Sequence, residues 1–323
     1  MCTAFHFVAE DHYFCRNLDL DYHYDENIII TPRGYRYPFR HISQPNIHYA
    51  MIGIATKIDD VPLYYDAVNE KGLCMAGLNF PGHAVYRSPS FTKVNIASFE
   101  LIPWILNQCA SVDEAENLIK KINICDISFS KELAPTPLHW IIADRHRAIV
   151  VEPMKDCIHI TPNPIGVITN NPPLPYHIQN LSNYINLTPE QPSNRFSKKL
   201  ELNAYSLGMG ALGLPGDFSS SSRFVRCAFL KENSIWGNTE EHRIHQAFHI
   251  LDNVAQLDGC VKTALGFEKT IYSICCNASK GIFYYTTYNN RQITGIHMDN
   301  CDLEGKNLIT LPMIVDSGIN YQS

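Results

Sequence analysis

A cysteine stands at the second position, in Met1-Cys2-Thr3-Ala4-Phe5-His6. Initiator methionine is trimmed ahead of small side chains, and Cys qualifies. Met1 is therefore expected to leave, giving one domain over residues 2–323 whose Cys2 carries a free α-amine. An unperturbed α-amine has a pKa of about 7.7 to 8.0, so near neutral pH it can accept a proton. Thiol and amine then form nucleophile and base on one residue, with no histidine required. Taken alone, such a cysteine is more often a small packing residue. Arg16-Asn17-Leu18-Asp19 follows about one hairpin later. An antiparallel return brings Arg16 and Asp19 back toward the chain start. A cation beside a cysteine favours thiolate over thiol, and a carboxylate can accept a hydrogen bond from the amine and orient it. The competing reading of Arg16 and Asp19 is a surface ion pair, which is worth little.

This chemistry needs Cys2 in a core rather than on a loose tail. Period-two patterning predicts strands at 2–8, 13–18, 51–55, 63–68 and 73–78, with a hairpin turn at Asn69-Glu70-Lys71-Gly72. Helices are expected over 98–109 and after the capping box Ser111-Val112-Asp113-Glu114, with Ala115, Leu118, Ile119 and Ile122 on the apolar stripe. Strands return at 140–143, 148–152, 157–160 and 167–169. Residues 172–193 read as loop with one short helix. Helices over 222–232 and 239–254 precede closing strands at 271–275, 282–287 and 292–298. No β-α-β alternation repeats, so the order points to α+β, two antiparallel sheets with helices segregated outside them.

Lys and Arg number 26 against 32 Asp and Glu, a net charge of −6. That argues against nucleic acid or anionic lipid as partner, since both select clustered positive charge. The 11 cysteines are odd in number, without a framework rhythm or any C-x-x-C pair. This scatter suits a reducing cytoplasm. The chain start has no basic region followed by an apolar run, so no secretory leader is expected. No stretch approaches the ~18 apolar residues of a membrane span.

Several motifs fail on context. Gly208-Met209-Gly210-Ala211-Leu212-Gly213 matches G-x-G-x-x-G, but Pro215 and Gly216 follow at once and break the helix a dinucleotide site needs. Ser128-Phe129-Ser130-Lys131 lacks the companion motifs of a serine β-lactamase. His242, His245 and His249 share a predicted helix, but Gln stands where a metalloprotease has Glu, so a polar face is expected. Asp19, Asp21 and Asp25 lack the glycine that bends a calcium loop. No metal or cofactor is expected.

Nine segments in order carry a resemblance. They are Met1-Cys2-Thr3, Cys15-Arg16-Asn17-Leu18-Asp19, Asn69-Glu70-Lys71-Gly72-Leu73, Gly77-Leu78-Asn79-Phe80-Pro81-Gly82, Glu100-Leu101-Ile102-Pro103-Trp104-Ile105-Leu106, Thr169-Asn170-Asn171-Pro172, Gly213-Leu214-Pro215-Gly216-Asp217, Ser222-Arg223-Phe224-Val225-Arg226 and Tyr284-Tyr285-Thr286-Thr287-Tyr288. Together they resemble the choloylglycine hydrolase family, which contains bile salt hydrolases and penicillin V acylases. The resemblance runs from residue 1 to about 300. It implies a four-layer αββα N-terminal-nucleophile fold. It implies Cys2 as nucleophile, Arg16 at its sulfur and Asp19 at its amine. Asn170 and Asn79 are implied at the oxyanion and Arg223 in support of the tetrahedral charge. Apart from the resemblance, Asn79 and Asn170 read equally as turn residues and Arg223 as a local ion partner.

Asn79 in Gly77-Leu78-Asn79-Phe80-Pro81-Gly82 is similar to the bile salt hydrolase branch, where the acylase branch tends to carry Tyr. The substrate implied is a glycine- or taurine-conjugated bile acid, cleaved through a thioester. A steroid needs a large apolar cleft with few polar contacts. Leu18, Tyr24, Tyr65, Phe129, Leu133 and Leu138 lie in or beside loops able to line one, or to pack the core. Another N-acyl amidase of the same fold and a non-catalytic binder of amphipathic anions are the alternatives. The resemblance also implies a homotetramer.

Overall fold

The structure is a computed structural model describing residues 1–42, 48–316 and 318–322. Among the described residues the elements run β1 (Cys2–Ala9), β2 (Asp11–Leu20), β3 (Glu26–Thr31), β4 (Met51–Ile58), β5 (Val61–Asn69), β6 (Cys74–Asn79) and β7 (Val94–Ala97). Then come α1 (Leu101–Leu106), α2 (Val112–Ile119), β8 (Ile122–Cys125), β9 (Leu138–Ala143), β10 (Ala148–Pro153), β11 (Ile158–Pro162), β12 (Val167–Ile168) and α3 (Leu174–Asn180). The chain closes with α4 (Ser220–Asn233), α5 (Glu240–Asn253), β13 (Val261–Lys262), β14 (Phe267–Asn277), β15 (Ile282–Thr287), β16 (Thr294–His297) and β17 (Ile309–Pro312).

Two antiparallel sheets dominate. One has the order β12-β1-β2-β14-β15-β16, with β13 on β14; the other runs β11-β10-β9-β6-β5-β4-β3-β17. The second sheet is apolar on both faces because both are covered. Ile28, Ile30, Ile52, Ile54, Ala76, Leu78 and Ile141 join the core shared with the first sheet. Their strand neighbours Ile29, Met51, Met75, Trp140 and Ile142 point the other way, onto α1 and α2. Helices α4 and α5 cover the outer face of the first sheet through Phe224, Cys227, Ile244, Ala247 and Leu251. The layers are thus helix, sheet, sheet, helix, the αββα arrangement expected. Gly53 allows the closest approach within β4 and β5: a Cβ there would sit 2.1 Å from the Asp66 carbonyl oxygen.

The structure departs from the expected elements at several places, among them the unforeseen short strands β7 and β13. Ile122 does not extend the second helix. α2 stops at Ile119, and Ile122 and Ile124 alternate at strand period along β8, which pairs in parallel with β7. The helix expected over 98–109 is a single 3-10 turn at Ser98–Glu100 followed by the short α1. Strands β3 and β17 had no strong alternation to announce them; β3 is defined by pairing with β4, and β17 by pairing with β3. The 208–213 glycine motif forms a 3-10 turn at Met209–Ala211, with Gly208 at φ 81° and Gly213 at φ 100°.

The β1–β2 hairpin that carries Cys2 and Arg16 also pairs a buried histidine, His12, with a half-buried one, His6. His6 and His12 stack edge to face at 5.4 Å, and His12 is 2% exposed. Neither His6 Nδ1 nor His12 Nε2 has a partner. Burial holds His12 down at about 4 and His6 at about 3. The unfolded chain therefore takes up these protons below about pH 6.5 while the folded chain does not. Stability is expected to be full above that pH and to fall as pH drops toward 4, by roughly 1 kcal/mol per pH unit for each histidine. Urea midpoints measured from pH 7 to pH 4 check this, and His12→Phe is expected to flatten the slope.

Candidate active site

Cys2 opens β1 and faces β2 in the register Cys2↔Leu18, Ala4↔Arg16. Residues directly opposed share a sheet face, so Cys2, Arg16 and Leu18 all look toward the second sheet. Cys2 is 2% exposed. Arg16 Nη2 lies 3.4 Å from Cys2 Sγ and donates to the Gly77 carbonyl at 2.7 Å. Its Nη1 donates to Asp66 Oδ2 at 3.0 Å and to the Tyr65 carbonyl. Burial draws the Arg16 guanidinium down, but Tyr272, Cys2 and Asp66 outweigh it and hold it above its ordinary value.

The backbone of Cys2 is gripped from the opposite side by α4. Arg223 Nη1 donates to the Cys2 carbonyl at 2.5 Å and to Thr3 Oγ1 at 2.6 Å. Its Nη2 donates to Asn170 Oδ1 at 2.7 Å, and Cys2 N donates to the same oxygen at 3.0 Å. Two donors on one atom fix the Asn170 amide the right way round. Its Nδ2 then points to the Asn79 carbonyl at 2.8 Å. An amide nitrogen has two hydrogens, so one remains for another acceptor. The side-chain amide of Asn79 makes no hydrogen bond among the described residues and lines the cavity described below. Burial lowers the Arg223 guanidinium, and Asp19 and Cys2 oppose that.

Asp19 sits one residue past the Cys2 partner. Its Oδ1 accepts from Thr270 Oγ1 at 2.6 Å, while its buried Oδ2 has no partner. Burial pushes the carboxyl up, and the adjacent chain-terminal ammonium and Arg223 pull it back. Met1 extends this end of the strand: its nitrogen donates to the Asp19 carbonyl at 2.9 Å and pairs with Glu268. Burial lowers the Met1 ammonium.

Two buried histidines hold the segment that presents Asn170. His177 Nε2 donates to the Asn170 carbonyl at 3.0 Å, and His139 Nε2 to the Thr169 carbonyl at 3.0 Å. A carbonyl only accepts, so both nitrogens carry hydrogen. Ser220 Oγ accepts from Asn170 N at 2.9 Å.

Cys2, Arg16 and Asn79 form one wall of a cavity of about 270 Å³. Leu18, Tyr24, Tyr65, Phe129, Leu133 and Leu138 all line it. Leu20, Ile58, Leu63, Phe99, Ile102 and Trp140 line it too and had no distinguishing mark in the sequence. Asp66 and Tyr272 were also missed. Asp66 did carry a signal, a lone acid inside the apolar run Leu63-Tyr64-Tyr65-Asp66-Ala67-Val68. Among the described residues, three metal-donor side chains come within 4.8 Å of one another only at Asp156, Cys157 and His159, none of which lines the cavity. His242, His245 and His249 are exposed along α5 and do not converge.

Chemically, the site pairs a thiol with a fixed cation. It places a buried carboxylate oxygen beside the chain terminus and the Asn79 side-chain amide on the same wall of an apolar cavity. That set suits acyl transfer through sulfur.

Residues 2–311 match the family described as linear amide C–N hydrolases, choloylglycine hydrolase family. A bile salt hydrolase/transferase of Lactiplantibacillus plantarum is 48% identical over 314 residues, covering 97% of each chain. One of Clostridium perfringens is 37% identical, covering 99% of each. The solved structure of a mutant conjugated bile acid hydrolase from Clostridium perfringens superposes with a TM-score of 0.92 at 35% identity, over 100% of each chain. Penicillin V acylase from Agrobacterium tumefaciens shares the fold, with a TM-score of 0.75 at 18% identity over 96% of this chain and 91% of that one. The layering, the placement of Cys2 at the head of its strand and these matches agree, and the chain belongs to the choloylglycine hydrolase family of linear amide C–N hydrolases.

Proposed function

We propose that this protein is a bile salt hydrolase that cleaves the amide joining a bile acid to glycine or taurine. The observation that carries the proposal is the Cys2 sulfur on the wall of an apolar cavity, 3.4 Å from Arg16. The names of the relatives at 48% and 37% identity supply the substrate class. A steroid acyl group would occupy the side of the cavity formed by Leu18, Tyr24, Tyr65, Phe129, Leu133 and Leu138.

With Met1 removed, the nitrogen of Cys2 becomes the α-amine and takes the thiol proton. The sulfur then attacks the amide carbonyl: a C–S bond forms and the carbonyl π pair moves onto oxygen. The amides of Asn79 and Asn170 face that oxygen. Asp19 Oδ2, which otherwise lacks a partner, accepts a hydrogen from the amine and keeps its orientation. The tetrahedral state collapses by breaking the C–N bond, and the ammonium returns its proton to the departing nitrogen. Water attacks the thioester with the amine as base, the C–S bond breaks, and the thiol is restored. Arg223 contacts the Cys2 carbonyl and Asn170 rather than the sulfur, so we read it as a positioning residue. The reaction as written needs no redox step.

We also place this chain, as one domain over residues 2–323, in a reducing cytoplasm as a homotetramer. All 11 cysteines are free thiols, which supports the compartment. No helix among the described residues is long and apolar enough to cross a membrane. Ile185, Phe196 and Leu207 are 87%, 85% and 91% exposed, apolar side chains that contact between copies would cover. Light scattering on the purified protein is expected to give four chains, and a monomer would remove the assembly reading.

Turnover of glycocholate and taurocholate is expected to exceed that of penicillin V by well over tenfold. The mass of the purified protein is expected to lack Met1. Cys2→Ala is expected to abolish hydrolysis, and undiminished activity would remove the nucleophile assignment. Asn170→Ala loses an oxyanion donor, so kcat is expected to fall by about 10² to 10³, measured on glycocholate.

A further inference from the structure

Arg16 is shared between Cys2 and a second anion. Its Nη2 reaches Cys2 Sγ at 3.4 Å, while Nη1 donates to Asp66 Oδ2 at 3.0 Å. The same Asp66 oxygen accepts from Tyr272 Oη at 2.6 Å. Arg16, Asp66 and Tyr272 are at most 1% exposed. Two β-bulges set this arrangement. In β5 the pairing jumps from Ile54↔Asp66 to Ala55↔Tyr64. Tyr65 is left without a ladder partner, and its carbonyl turns to Arg16. In β14 it jumps from Thr270↔Asp19 to Tyr272↔Leu18, which puts Tyr272 on the face shared by Leu18 and Arg16.

We propose that Asp66, backed by Tyr272, is the counter-charge that positions Arg16 and sets how much of its positive charge the Cys2 sulfur feels. The proposal rests on the reading of Cys2 as nucleophile. A carboxylate and a thiolate compete for one guanidinium, each on its own nitrogen. Two donors on Asp66 fit its ionised form. Burial pushes its carboxyl up, and Arg16 and Tyr272 pull it back. Burial pushes the Tyr272 hydroxyl well up, so it stays a neutral donor. The other charges facing Cys2 are Asp19 from β2, Arg223 from α4 and the chain-terminal amine. None of them contacts Asp66 or Tyr272.

The two members of this pair have opposite expected effects. Asp66→Asn keeps an acceptor for Arg16 but removes the competing charge, so the cation serves the sulfur more fully. Tyr272→Phe removes a donor from the carboxylate, which then holds Arg16 more strongly at the expense of the sulfur. The test is the pH dependence of Cys2 alkylation by iodoacetamide. It is read by mass on the N-terminal peptide of the full chain, with loss of Met1 verified. Asp66→Asn is expected to move the midpoint down by about half to one pH unit, and Tyr272→Phe to move it up by a smaller amount.

A purely structural role would move neither midpoint or both in one direction, and either result overturns the proposal. If Asp66→Asn does not fold, Tyr272→Phe decides alone: an upward shift supports the proposal, and an unchanged or lower midpoint overturns it. If Cys2 of the unsubstituted protein is alkylated no faster than its other cysteines, the nucleophile reading has failed instead.

Discussion

A guanidinium buried between two sheets must find a partner for nearly every N–H it carries. Arg16 meets that demand with groups from three strands: Tyr65 and Asp66 of β5, Gly77 of β6 and Cys2 of β1. Removing one partner from a buried ion pair costs about 3–5 kcal/mol. The spacing and register of both sheets around the site are therefore tied to this one side chain. Gly53, the bulge at Tyr65 and the bulge at Ile271 are backbone adjustments that let the strands meet it.

A second buried cation fixes the chain end from the other side. Arg223 reaches across from α4 to the Cys2 carbonyl, Thr3 and Asn170. Strand β1 is thus held by a cation on each of its faces, one directed at the sulfur and one at the backbone. The division follows from strand alternation: Cys2, Ala4 and their partners face the second sheet, while Thr3 faces the helices. Asn170 joins the two halves, since its oxygen takes Arg223 and Cys2 N while its nitrogen faces Asn79.

Much of the fold was legible because burial on both faces writes itself into strands as continuous apolar runs and into helices as stripes. Strands β4, β6, β9, β10 and β15 and helices α4 and α5 stood where patterning placed them, within a few residues. Ile122 was misassigned because its spacing from Ile119 and Leu118 also fits a helix, and only pairing of β8 with β7 decides between them. Strand β17 takes its identity from β3, across nearly the whole chain.

The sequence by itself determined which residue types were available and, through β1 and β2, that Cys2 and Arg16 lie on neighbouring strands. That pairing is local, and a hairpin needs no knowledge of the rest of the chain. Convergence of Asn79, Asn170 and Arg223 on Cys2 was implied by family resemblance and became geometry only when β6, the end of β12 and α4 packed around one strand. Asp66 and Tyr272 were decided by tertiary structure alone. A buried acid in an apolar strand signals a partner, but which cation it meets depends on how two sheets stack, and contacts across a sheet interface leave no periodicity in either strand.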